Sequence, residues 1–228
     1  MRILMVAALL AAGILFGWHG TASAQSACAD LGGTVGGDQI CHGHAANSTY
    51  TLDFSFPVDY PDQQALTDYL TQTREGFINV SEMPDAQDKP YVLDAKGTAY
   101  GSGTPPRGTR SVVFEIYQNV GGVHPQTWYK AFNYDLSKRA PVTYDTLFKP
   151  GTNPLDVVFP VVESELQKQS GLEVAVLPGD GLDPENYQNF ALTDDAVIFF
   201  FGQGELLPEA AGANQASVPR AILAPILA

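Results

Sequence analysis

Ser111-Val112-Val113-Phe114-Glu115-Ile116-Tyr117-Gln118-Asn119, the break Val120-Gly121-Gly122-Val123-His124-Pro125, and Thr127-Trp128-Tyr129-Lys130-Ala131-Phe132-Asn133-Tyr134 decide the fold. Val112, Phe114 and Ile116 alternate with Val113, Glu115 and Tyr117, and aromatic and polar residues resume in turn after the break. A period of two places alternate side chains on opposite faces of a strand. The stretch predicts a long antiparallel hairpin whose turn uses glycine to reach positive φ. Tyr117, Trp128, Tyr129, Phe132 and Tyr134 read first as core and cross-strand packing, and second as a recognition surface.

Outward from the hairpin the same patterns recur. Leu52, Phe54 and Phe56 alternate with Thr51, Asp53 and Ser55, a strand that Pro57 ends. Pro61-Asp62 opens a helix whose apolar stripe is Ala65, Leu66, Tyr69, Leu70 and Thr73. Residues 81–90 read as a polar linker, 91–100 as a strand, and 101–108 as a Gly/Pro loop. After a short connection at 142–148, a second helix over 156–169 carries Val157, Val158, Val161, Val162 and Leu166, with Gly171 as its stop. Residues 181–190 suit one helical turn, and 190–193 with 196–201 form a hairpin around Asp194-Asp195. The apolar run Val197-Ile198-Phe199-Phe200-Phe201 predicts a central strand covered on both faces. A short strand and a Pro-interrupted tail follow from 216. The expectation is an α+β domain with a mostly antiparallel sheet and two main helices packed on it.

Residues 1–24 read as an export signal: Arg2, an apolar run over 3–16, then Ala22-Ser23-Ala24 at the cleavage point. That run is short of the roughly 20 residues a spanning helix needs, so no membrane span is expected. The chain is expected to be secreted and extracellular. Residues 25–48 then form a Gly-rich arm, and 49–228 a single α+β domain. In an oxidising compartment Cys28 and Cys41 have one possible pairing, a structural staple worth about 3 kcal/mol by chain entropy. With 12 Lys+Arg against 25 Asp+Glu, the net charge of −13 disfavours nucleic acid and anionic membrane as partners. The 45% apolar content supplies a core and excludes a wholly disordered chain. The acid excess serves solubility first and steers a basic partner second.

The sequence contains no H-E-x-x-H, G-x-S-x-G or phosphate-binding glycine loop. His42-Gly43-His44 has two imidazoles close enough to chelate a metal, but its place in the arm reads as a solvated loop. Accidental carboxylate pairs are guaranteed by the number of acids and carry no signal. His124, flanked by Gly121, Gly122 and Pro125, reads first as a turn residue bonded to its own hairpin and second as a binding group. Gly121, Gly122 and His124 are thus the candidate binding residues. No catalytic residue, metal or cofactor is assigned.

Several blocks resemble one family. They are Tyr60-Pro61-Asp62-Gln63, Pro105-Pro106-Arg107-Gly108-Thr109, residues 117–125, Tyr129-Lys130-Ala131-Phe132, Thr143-Tyr144-Asp145-Thr146-Leu147, Asn186-Tyr187-Gln188-Asn189-Phe190, and 197–201 through Gly212. In order along nearly the whole chain, they are similar to the mycobacterial secreted immunogenic antigens of the MPT-sixty-four type. Gly36-Gly37, His42-Gly43-His44 and Pro225 depart from that pattern. The resemblance implies a β-grasp-like fold, export, recognition by host proteins or immune receptors, and no enzymatic activity. The C-terminal half is also similar to the extracellular, lysozyme-binding part of the anti-sigma factor RsiV, and the alternative reading is a cell-wall-associated binder of lysozyme or a related glycan-active protein. Titration with lysozyme at low and moderate salt separates the two readings: the alternative requires a complex that weakens as salt rises.

Overall fold

The computed structural model describes residues 19–86, 88–122, 124–171 and 176–228. The export signal expected over 1–24 falls outside the described residues as far as residue 18. The first helix, α1 (His19–Asp30), runs across the expected cleavage point.

The central hairpin is present as β5 (Thr109–Asn119) and β6 (Gln126–Asp135), paired antiparallel with Ile116 opposite Trp128 and Phe114 opposite Lys130. It belongs to a seven-stranded sheet in sequence order, β1 (Gly33–Val35), β2 (Ile40–Ala46), β3 (Tyr50–Pro57), β4 (Tyr91–Ser102), β5, β6 and β7 (Ala140–Pro141). β3 and β4 run parallel, and α2 (Gln63–Ser81) is their crossover. Asp62 caps α2, its carboxylate accepting from the Ala65 N–H at 3.2 Å. The helix continues past the predicted stripe and buries Phe77 and Ser81 as well as Leu66 and Leu70. Tertiary burial of that extra face extends it into the expected linker.

The remaining elements build a second layer. α3 (Tyr144–Leu147) begins with a Thr143 capping box, inside what read as a plain connection. α4 (Leu155–Ser170) ends at Gly171, which takes φ +62° as a left-handed cap. α5 (Pro178–Gly181) and a 3₁₀ turn at Pro184–Tyr187 lead into a three-stranded antiparallel sheet ordered β10 (Asn214–Pro219), β9 (Ala196–Phe201), β8 (Phe190–Leu192). α6 (Arg220–Leu223) closes the chain's last turn. β9 is central, as its apolar run requires.

The α+β class and the mostly antiparallel pairing stand, but the strands divide between two sheets and each main helix packs on its own. α2 lies on one face of the large sheet over Leu52, Phe54, Leu93, Phe114 and Ile116. α4 lies on the small sheet through Val158, Val162 and Leu166, against Phe199, Phe201 and Val218. Between the sheets, Val113 meets Ala191 and Phe200, flanked by Tyr100 and Tyr129. Buried hydrogen bonds lock this contact: Asn133 Nδ2 donates to the Phe190 carbonyl at 2.8 Å and the Leu192 N–H donates to Ser111 Oγ at 3.3 Å.

The arm expected apart from the domain is built into it. Residues 33–46 supply β1 and β2, and β2 pairs with β3 along its whole length, Ile40 opposite Pro57 to Ala46 opposite Thr51. The Gly-rich composition hid the strand because Gly43 faces the core with no side chain: a Cβ there would lie 2.0 Å from the Phe54 ring. The Cys28–Cys41 disulfide ties α1 to β2, and both cysteines are buried. Cys28→Ser/Cys41→Ser should lower unfolding free energy by about 3 kcal/mol, measured by urea denaturation. The wild type in reductant should show the same loss, and unchanged stability would mean that packing alone holds the arm.

Candidate functional site

The two faces of the large sheet differ in what covers them. One packs under α2. The other is covered by the small sheet only around β4, β5 and β6, where Tyr100, Val113, Tyr129 and Ala131 meet it. Over β1, β2, β3 and the start of β4 this second face stays open, and alternation places every other residue of each strand on it.

Strand register assembles those residues into two rows. His42 stands opposite Thr34 on one side and Ser55 on the other; Ser55 is beside Lys96, and Lys96 opposite Glu115. One pleat along, His44 stands opposite Asp53, Asp53 beside Asp94, and Asp94 opposite Tyr117. A depression of about 540 Å³ lies over Thr34, His42, His44, Asp53, Ser55 and Asp94.

His44 Nδ1 is 2.7 Å from Asp53 Oδ1. A carboxylate only accepts, so Nδ1 carries the proton and Nε2 is left as the acceptor nitrogen. The pair is exposed, with about half or more of each side chain open to solvent. His42 Nε2 lies 3.6 Å from Asp38 Oδ2. The Ile40 N–H donated to Asp38 holds that carboxyl below the ordinary carboxylate range, with His42 adding to the effect. Burial pushes Asp94 the other way; the neighbouring Asp53 charge reinforces the rise and Lys96 opposes it.

The solvated-loop reading of His42-Gly43-His44 is corrected: both imidazoles stand on a paired strand, each beside a carboxylate. The missed signal was the shared spacing of two in His42/His44, Asp53/Ser55 and Asp94/Lys96. It is visible only once residues 40–46 are read as a strand. Among the described residues, no three His, Cys, Asp or Glu side chains converge closely enough to hold a metal ion. The other candidate residues fall elsewhere. Gly121 takes φ +66° and its N–H donates to Asn119 Oδ1 at 3.1 Å, while Gly122 and His124 are exposed in the same turn; Val123 lies outside the described residues. That turn lies beyond the end of the β5–β6 ladder, and His124 is not in either row.

Comparison with known proteins follows the division into layers. The family described as proteins of unknown function (DUF3298) matches residues 145–221, the span from α3 to α6 that contains the small sheet. The immunogenic protein MPT64 of Mycobacterium tuberculosis is 49% identical over 208 residues, 91% of each chain. The chain belongs to the family of this mycobacterial immunogenic protein. Another member, named esterase Rv3036c, also of Mycobacterium tuberculosis, is 56% identical over 226 residues and covers 99% of both chains. A DUF3298 family protein of Pseudomonas aeruginosa shares the fold at TM-score 0.54 and 12% identity, covering 83% of this chain and 94% of its own. Among the described residues of the present family member, no helix is long and apolar enough to cross a membrane.

The raised Asp94 carboxyl has a testable sign. A group whose folded pKa is raised contributes its stability in the protonated form and loses it as pH rises through that pKa. Asp94→Asn, which keeps the shape without the charge, should raise Tm modestly at pH 7, and the gap should close by about pH 3, where the free carboxyl is protonated in both states. A lower Tm for the variant at pH 7 would show that Asp94 is held as a stabilising anion.

Proposed function

We propose that this MPT64-family chain is an exported immunogenic protein that acts through its surface on host components, and that its working surface is the open half of the large sheet. The observation that carries this reading is the partial cover of that sheet: two ordered rows of polar side chains stand on paired strands, stapled to α1 by a disulfide and fixed from behind by α2. A scaffold of this kind presents side chains with little ordering cost on binding. The reading predicts saturable binding of labelled protein to macrophage surfaces. Tyr117→Ala and Lys96→Glu should each weaken it at least fivefold, the scale of a binding hot spot. Saturable binding unchanged by both substitutions would move the surface elsewhere. The lysozyme alternative draws support from the acidic net charge of −13 and is decided by the salt titration already described.

A second reading, ester hydrolysis, is favoured by the His44–Asp53 pair together with the name of the 56% identical relative. In this reading Asp53 orients the ring and His44 Nε2 takes a proton from water or from the Ser55 hydroxyl as its oxygen bonds to the ester carbonyl carbon. The carbon–oxygen bond to the alcohol then breaks, and His44 returns the proton to the departing alkoxide. On the Ser55 route water then bonds to the acyl-serine carbonyl carbon, giving a proton to His44, which passes it to the Ser55 oxygen as the acyl–serine bond breaks. With p-nitrophenyl butyrate, His44→Ala should lower kcat by roughly 100-fold or more. Loss in Ser55→Ala would assign the nucleophile to Ser55, and retention would assign it to water. Turnover unaffected by His44→Ala removes the pair from catalysis.

A further inference from the structure

A loop gives two imidazoles no fixed relation, but His42 and His44 stand on a strand that is paired with β3 at both positions. Two residues apart, they rise from one face of the sheet with their backbone positions about 7 Å apart. Rings at that spacing lean together until one nitrogen of each lies about 2 Å from a common ion. The backbone between them is pinned. A Cβ at Gly43 would strike the Phe54 ring, and Cys41, next to His42, is tied to Cys28. β1 adds a further strand, with Thr34 opposite His42.

The rings are also prepared as ligands. Asp53 accepts the His44 Nδ1 proton at 2.7 Å, which fixes ring and tautomer and leaves the Nε2 lone pair for an ion. A carboxylate behind an imidazole is the usual support of a metal-ligating histidine. His42 Nε2 lies 3.6 Å from Asp38 Oδ2, too long for a hydrogen bond that would occupy it. The two side chains are 57% and 63% exposed, so an ion reaches both from solvent. They line one depression together with Asp53, whose charge attracts a cation. Lys96, the cation of these rows, stands beyond Ser55 and opposite Glu115.

We propose that His42 and His44 bind one late transition-metal ion, Cu²⁺ most tightly, through two imidazole nitrogens, with water in the remaining positions. Imidazole donors suit zinc, nickel and copper, and affinity along that series peaks at Cu²⁺, whereas Mg²⁺ and Ca²⁺ take oxygen ligands. A two-nitrogen chelate needs no third protein ligand, in keeping with the absence of a three-residue cluster among the described residues. The site goes beyond both functional readings and depends on neither. An ion on His44 Nε2 uses the lone pair that ester hydrolysis requires as its base, so the two uses exclude each other in one molecule.

Titration of the tag-free protein with Cu²⁺ tests the site, followed by calorimetry and by electron spin-echo spectroscopy of the loaded sample. A single equivalent should bind, with two imidazoles on the copper in the wild type and one in His42→Gln or His44→Gln. Each of these variants should weaken binding by roughly tenfold or more, and so should Asp53→Ala, which releases the His44 ring. Asp53→Asn, whose amide oxygen still accepts from Nδ1, should weaken it less. His124→Gln should match the wild type, because His124 is in neither row. Ni²⁺ and Zn²⁺ should bind more weakly than Cu²⁺, and excess Mg²⁺ should not displace it. Melting without metal checks that each variant folds, and the two histidine variants are independent, so one that misfolds leaves the other decisive. Copper taken up only as several weak equivalents is an adventitious ion only and overturns the site. An unchanged spectrum and affinity in a folded His42→Gln or His44→Gln variant also overturns it.

Discussion

Phe200 of the small sheet rests against Tyr129 and Tyr100 of the large one, with ring centroids 5.2 and 5.8 Å apart, and joins Val113 in the buried seam. The architecture depends on this seam. β5 is buried on both faces at Val112, Val113 and Phe114 because α2 lies on one side and the small sheet on the other. Asn133, Ser111 and Asn189 satisfy backbone groups across the seam, while Asn133 Oδ1 is buried there without a hydrogen-bond partner. Three strands cannot cover seven, however. The cover ends near β4, and the strands beyond it must carry polar side chains on their second face.

That boundary gives the open face its chemistry. β3 is apolar toward α2 and polar on the other side, and β2 follows it through an unbroken register from Ile40 to Ala46. A disulfide to α1 holds β2 near its start, and β1 covers only the half of β2 that contains Cys41. The uncovered half carries His44 at the junction of a polar depression and an apolar hollow. Shortness of one edge strand therefore leaves His44 on an uncovered stretch of β2.

The family comparison divides along the same line. The DUF3298 match covers the small-sheet layer, whereas the His44–Asp53 pair and both hollows belong to the disulfide-bearing layer outside it. Similarity to the immunogenic and esterase-named relatives spans both layers.

The hairpin around Gly121 and Gly122, the crossover helix with its Asp62 cap, the second helix stopped by Gly171 and the doubly buried β9 were all legible in the sequence. Each is written in local periodicity and local capping, which depend on neighbours a few residues away. The arm was not legible as strand. Its glycines erase alternation, and Gly43 is required by the Phe54 ring of the adjacent strand, a contact no local window contains. The candidate site was legible only as separate pairs of polar residues. Bringing His44 to Asp53 and Asp53 to Asp94 takes the register of three strands, and leaving them exposed takes the limited reach of a second sheet. Sequence alone determined the central hairpin, the two main helices and β9, and that two cysteines would join. Tertiary structure alone decided the division into two sheets and the face left open, because both follow from long-range burial rather than from local preference.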